Sequence, residues 1–452
     1  MFVNCPLLSY LDLSSFKPIR VKDFSHMFHS TGLTSINLQN FDTRSGEDMS
    51  CMFQNSPNIT YLDLSAFNTE NVESMDHMFS EVFSLTSIKL SSSFKTEKVK
   101  LMTHMFYSCS NLTDLDLSSF NTPNLIRCGN MFQKCTSLEY VRLTNFKTDL
   151  STDISSMFSN CFSLKSVDLS SFNTHQVVYF SSMFSECHSL ESIYLNKFDT
   201  SSGTSFNSMF YNCYNLKTVD LSGFKTEKVT DMSSMFYNCT NLETININHF
   251  NTKSLTRMTS MFQYCAKLKN IYISDLDVSF VTSFANIFKG CTSLTSINLA
   301  NWKTNSATEL GSMFADCSSL SYVNIKNFVT SQVNIFSNLF LNCKKLESVD
   351  LSSFVTNKGK DMGHMFEGCS ALTSLSLTHF NTDNTIDMRA MFKGCTGLTE
   401  LDLSSFNTKS VTTLADIFGD INHELRVIVI RDNVEKLISL YEFDAFITFE
   451  DA

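Results

Sequence analysis

Apolar residues recur along this chain on two rhythms, and both restart about every 26 residues. Leu115 and Leu117 flank polar Asp116, the period-two alternation of a half-buried β-strand. Further on, Leu125, Cys128, Met131 and Phe132 fall at i, i+3, i+6 and i+7, the spacing of one face of a short helix. Thr122 stands ahead of that stretch, as Thr226, Thr252 and Thr408 do in other copies, where a hydroxyl can cap free amides. Each copy therefore predicts one strand, one turn and one short helical segment. The helical half is the more variable, since Gly46, Ser151, Gly203, Gly359 and Thr385 take its Val position in some copies.

The register is set by a phenylalanine at positions 2, 28, 53, 79, 106 and 132, and then every 26 residues to 418. The Met before it gives way to Ile287, Leu339 and Ile417, but the Phe never varies. One copy is too small to bury its own flanks. Stacked copies cover each other, so a one-dimensional array is expected rather than separate globules. The strands should pair in parallel on one face of about 16 coils of 26 residues, with the short helical segments on the other. This array is expected over 1–420. After Gly419 the register is lost. Leu425, Val427, Ile428 and Ile430 read as a final strand and Val434–Tyr441 as a helix, giving a C-terminal cap over 421–452. Met1-Phe2 and Cys5 fall in mid-repeat, so the N-terminal cap is expected to lie in upstream sequence.

Leu112-x-x-Leu115-x-Leu117 is a leucine-rich-repeat signature, with Phe120 where Asn or Cys is usual. Phe146 and Phe172 repeat that change, while Leu276 and Trp302 vary it. With Met105-Phe106-x-x-Cys109 before it and Ser118-x-Phe120-x-Thr122 after it, the unit resembles that of the BspA-like leucine-rich-repeat surface proteins, whose repeat is of the bacterial lipoprotein type. The resemblance runs from residue 1 to about 420. It implies a leucine-rich-repeat solenoid displayed on a cell surface or outside the cell, in adhesion or in host or cell–cell interaction, without catalysis. The first residues show no basic n-region, apolar h-region or lipidated Cys. A cytoplasmic scaffold or regulatory recognition module is the alternative.

Charge and composition narrow the partners. Lys and Arg number 34 against 45 Asp and Glu, a net charge of −11. Nucleic acids and anionic membrane surfaces call for clustered cations, so neither is expected as a partner. The longest apolar runs, such as Val427–Ile430, fall far short of the ~20 residues of a membrane span. No metal-protease, dinucleotide, phosphate-loop or nucleophile-elbow motif occurs, and no cofactor or catalytic set is expected. Thirteen of the 15 cysteines form one row, from Cys5 through Cys109 to Cys395. Coils related by translation keep their Cβ atoms ~4.8 Å or more apart, wider than the ~3.5–4.5 Å of a disulfide. Buried thiols packing as small hydrophobes are expected instead, and Thr31, Ser56 and Val82 fill the slot in early copies.

Function should lie on the outward strand positions. Their central row includes Asp116, Arg142, Asp168, Tyr194, Asp220 and Tyr272, and nowhere in it are two Asp adjacent. Stacked like charges would repel, so one reading is a solvated face tuned against repulsion. The other is a concave surface for a protein or glycan, with Tyr194, Tyr272 and the flanking Tyr140 and Tyr322 as anchors.

Overall fold

The alternation around Asp116 becomes a short parallel strand in most coils. The computed structural model describes every residue of the chain except 443, in two compact units, 1–228 and 229–452. The first holds β1 (Tyr10–Asp12), β2 (Ser35–Asn37), β3 (Tyr61–Leu64), β4 (Ser87–Leu90), β5 (Asp114–Asp116), β6 (Tyr140–Arg142), β7 (Ser166–Val167), β8 (Ser192–Tyr194) and β9 (Thr218–Asp220). The second holds β10 (Thr244–Asn246), β11 (Asn270–Tyr272), β12 (Ser296–Asn298), β13 (Tyr322–Asn324), β14 (Glu400–Asp402), β15 (Leu425–Val429), α1 (Glu435–Leu440) and β16 (Ile447–Asp451). Paired strands are parallel and one coil apart, as Leu115 opposite Val141 and Ile245 opposite Ile271. The fold is a parallel β-solenoid of about 17 turns. The final elements are β15, the short helix α1 and β16, which adds in parallel to β15.

The second face is not helical. Among the described residues α1 is the only α-helix, and the Met-x-x-Met-Phe segments are chains of turns. Two residues per coil, two before and two after the Phe, take positive φ, as in His104 (57°), Ser108 (58°), Asn130 (59°) and Lys134 (63°). A left-handed residue every fourth position stops a right-handed helix from propagating. Alternate amides instead donate to the next coil: Phe24 to Asp48, His26 to Ser50, Phe28 to Met52 and Ser30 to Gln54. The amides between them close local turns, as Met27 to Phe24 and His29 to His26. Along this rib every inter-coil bond runs from one coil to the following one.

The variable Val position has a packing cause. Where a preceding coil carries Phe24, Phe180 or Phe336 in place of the usual Met, the slot beside it holds Gly46, Gly203 or Gly359. A Cβ there would lie 3.1–3.2 Å from the ring. At these three places volume is traded across the coil boundary, while Phe206 and Phe284 are followed by Val229 and Ala307.

Three columns hold the coils together. Phenylalanines stack face to face, as Phe132 on Phe158 at 5.4 Å and Phe314 on Phe340 at 5.5 Å between ring centroids. The threonines do not cap helices. Thr122 donates its hydroxyl to the Lys147 carbonyl at 2.8 Å and accepts the Lys147 amide at 2.8 Å, bridging two coils, and Thr330 bridges to Val355 in the same way. The thiols are more than filler. Cys135 donates to the Phe106 carbonyl at 3.0 Å and Cys317 to the Phe288 carbonyl at 3.0 Å. The Ser56 hydroxyl serves the Phe28 carbonyl of the preceding coil in the same way, while Thr31 bonds Phe28 within its own coil.

All 15 cysteines are unbridged, and only Cys5 and Cys51 are less than fully buried. Burial pushes the Cys135 thiol up to about 12 and Cys51 to about 11. The thiolate is the reactive form. A neutral maleimide at pH 7.5 should therefore label at most Cys5 and Cys51 in the folded chain, against all 15 in urea. Rapid native labelling of Cys135 or Cys317, read by peptide mass, would contradict the closed stack.

Candidate functional site

The outward positions of each strand are held up by the buried ones between them: Leu115 and Val141 point into the core, which turns Asp114, Asp116, Tyr140 and Arg142 to solvent. Within the first unit, Arg142 reaches back across one coil to Asp114 (3.0 Å) and Asp116 (3.6 Å). Lys89 does the same to Asp63 at 3.0 Å. These are exposed pairs of small energetic weight. Beside them a flanking row alternates in sign, with Lys165 on Glu139 and Lys217 on Glu191. The Lys165 ammonium also lies 5.5 Å from the Tyr140 ring centroid.

The row of aspartates has a local cause that the strand pattern does not reveal. Asp116 accepts the amide of Ser118 at 2.9 Å, Asp168 that of Ser170 at 2.9 Å and Asp220 that of Ser222 at 3.0 Å. Each carboxylate thus closes the turn that ends its strand. Asn246, Asn298 and Asn324 do the same with a side-chain amide oxygen. The Ser118 hydroxyl and amide hold the Asp116 carboxyl below the usual range, and the Ser170 amide and hydroxyl do so for Asp168. Asp63 is held at about 2 by the Ser65 hydroxyl, then by the Ser65 amide and Lys89. The signal was present in the sequence as Asp-x-Ser wherever the central outward residue is Asp, a side chain bonding its own backbone two residues on.

The tyrosines stand apart from this architecture. Tyr194 is 75% exposed, Tyr322 56%, Tyr272 50% and Tyr140 42%. Tyr194 and Asp168 share a shallow hollow of about 380 Å³ with Asn196 and Lys197. In the second unit, Tyr272 and Tyr322 line one hollow of about 330 Å³ with Asn270, Asn298 and Ser296. The eight predicted residues therefore fall into two groups: Asp116, Tyr140, Arg142, Asp168, Tyr194 and Asp220 on the first unit, Tyr272 and Tyr322 on the second. Away from this face, His77 and His104 stack at 4.5 Å. Burial lowers both, His104 to about 4.

Comparison with known proteins adds a family. One family model matches residues 1–112, 83–192, 126–244, 152–270, 238–348 and 312–426, overlapping stretches that together reach from 1 to 426. The chain belongs to DUF285, described as Mycoplasma protein of unknown function. Solved structures similar to this DUF285 chain include a leucine-rich repeat protein from Bacteroides ovatus, 20% identical over 78% of this chain and 87% of that one, with a TM-score of 0.50. A leucine-rich repeat protein from Eubacterium ventriosum is 18% identical over 68% and 82% of the two chains, with a TM-score of 0.36. The first likeness is one of fold alone. No curated protein matches the chain. Among the described residues no helix is long and apolar enough to cross a membrane.

Proposed function

We propose that this DUF285 chain is a non-enzymatic recognition protein that binds a protein or glycan through its outward strand face, in adhesion or cell–cell contact at a cell surface. The observation that carries the reading is the set of exposed tyrosines. The fold uses the neighbouring aspartates to close turns, but leaves half or more of the surface of Tyr194, Tyr272 and Tyr322 exposed. Large rigid aromatic groups on a solvated face bury much area at low entropic cost when a partner covers them. Surface display comes from the resemblance to BspA-like proteins. Fifteen unbridged cysteines favour the intracellular scaffold as a second reading, though burial shields thirteen of them from oxidation outside a cell as well.

The test uses a panel of purified extracellular-matrix glycoproteins, each also in deglycosylated form. The full chain should bind at least one member saturably. Replacing the anchors together (Tyr140→Ser, Tyr194→Ser, Tyr272→Ser and Tyr322→Ser) should weaken that binding at least tenfold and leave the thermal midpoint within about 2 °C, as surface substitutions do. Binding equal to the unsubstituted chain would remove the strand-face reading.

A further inference from the structure

The outward strand positions change chemistry along the chain, and within the second unit β14 and β15 carry Glu400, Asp402 and Arg426. On β3 to β6 it carries Asp63, Lys89, Asp114, Asp116 and Arg142, ions of both signs already paired. On β10 to β13 no outward strand residue is charged. Asn246, Asn270, Asn298 and Asn324 line up there with Tyr272 and Tyr322. The oxygens of Asn246, Asn298 and Asn324 are tied to backbone amides, and their NH2 groups have no acceptor among the described residues. The Tyr272 and Tyr322 hydroxyls have no partner among the described residues. Between the two rings lies the 330 Å³ hollow, at the lower end of the size range of small-molecule sites. Tyr322 is two coils on from Tyr272 and two residues back along the strand, which puts the residues on a diagonal of ~12 Å.

We propose that the β10–β13 face is a binding site for a neutral oligosaccharide, an inference that rests on the recognition reading above. Phenol rings offer flat apolar faces to the C–H face of a sugar, and the carboxamides match hydroxyls that both donate and accept. A charged peptide would give up its solvation against a face whose one lining ion, Lys269, is already paired. Nucleic acid would find no cation row, and an acyl chain would find no aliphatic surface. Lys269 is the one ion lining the hollow, and its ammonium pairs with Glu243 at 3.5 Å.

The experiment titrates the full chain with hexasaccharides of N-acetylglucosamine, cellulose and maltose, and with a heparin-derived hexasaccharide as the anionic counterpart. At least one neutral hexasaccharide should bind, with affinity changing less than twofold between 50 and 500 mM NaCl. The paired substitution Tyr272→Ala with Tyr322→Ala should cost at least tenfold, and Tyr10→Ala with Tyr61→Ala, exposed tyrosines outside the proposed anchors, less than twofold. Binding of none of the neutral probes, preference for the heparin fragment, or the larger loss in the second pair would overturn the proposal. Retained binding of a deglycosylated panel protein that the four Tyr→Ser changes abolish would sink the glycan site while sustaining the recognition reading.

Discussion

Raising the pH from 8 to 10 is expected to unfold either unit, with the urea midpoint dropping steeply above pH 9. The cause is the thiol column. Burial holds Cys109, Cys128, Cys135, Cys161, Cys187 and Cys213 far above the ordinary thiol range in the first unit. It does the same for Cys265, Cys291, Cys317, Cys343, Cys369 and Cys395 in the second. A group whose folded pKa is raised contributes stability that is fully present below its unfolded pKa, about 8.5 for Cys. That stability is lost as pH rises toward the folded value, about 12 for Cys135. Each thiol then contributes a slope of about 1.4 kcal/mol per pH unit, so six acting together give roughly 8 kcal/mol per unit. Whole domains are stable by only about 5–15 kcal/mol. Circular dichroism during urea titration at pH 8, 9 and 10 reads the effect directly. A midpoint unchanged over that range would mean that the thiols ionise inside the fold. Cys317→Ser should flatten the slope by one proton while keeping the bond to the Phe288 carbonyl, since Ser56 already makes such a bond.

Phe340→Ala is the second large effect. The ring is fully buried between Phe314 and Phe366, at 5.5 and 5.8 Å. Coil spacing on both sides is fixed by backbone bonds, from Phe314 to Leu339 and from Phe340 to Met365. The walls of the cavity therefore cannot close over it, and the loss should reach about 3–5 kcal/mol. Phe340→Leu should recover part of this, because the column needs apolar volume more than aromatic faces. Equilibrium urea unfolding of the two variants decides. A loss under about 1 kcal/mol for Phe340→Ala would show that neighbouring coils slide to fill the gap.

The coil length, the strand and the buried columns were legible in the sequence, because burial repeats wherever backbone repeats. Leu115 and Leu117 marked the strand, and the Phe ladder marked the register. The helix was misread for a physical reason. Met131 and Phe132 point inward in a chain of turns as they would on a helix, so the spacing of buried residues cannot tell the two apart. The discriminating residues lay between them. Asn160, Asn212, Asn238, Asp316, Gly290 and Gly368 all stand two after the Phe with positive φ, and these types tolerate the left-handed region best. The strand face divided in the same way. Alternation told which residues point outward, but the bonds from Asp116 to Ser118 and from Arg142 to Asp114 depend on turn geometry and neighbouring coils. Only with those partners assigned do the tyrosines emerge as the side chains with no structural duty.

The rib of alternating turns has a consequence for how such a molecule changes length. Along the rib each coil gives protons from the same amides to the same carbonyls of the next, so it is a template for its own copy. Doubling or deleting a whole coil leaves every giver facing a receiver. Coil number is therefore free to drift while coil length is held, and the face can be lengthened or recoloured one 26-residue tile at a time.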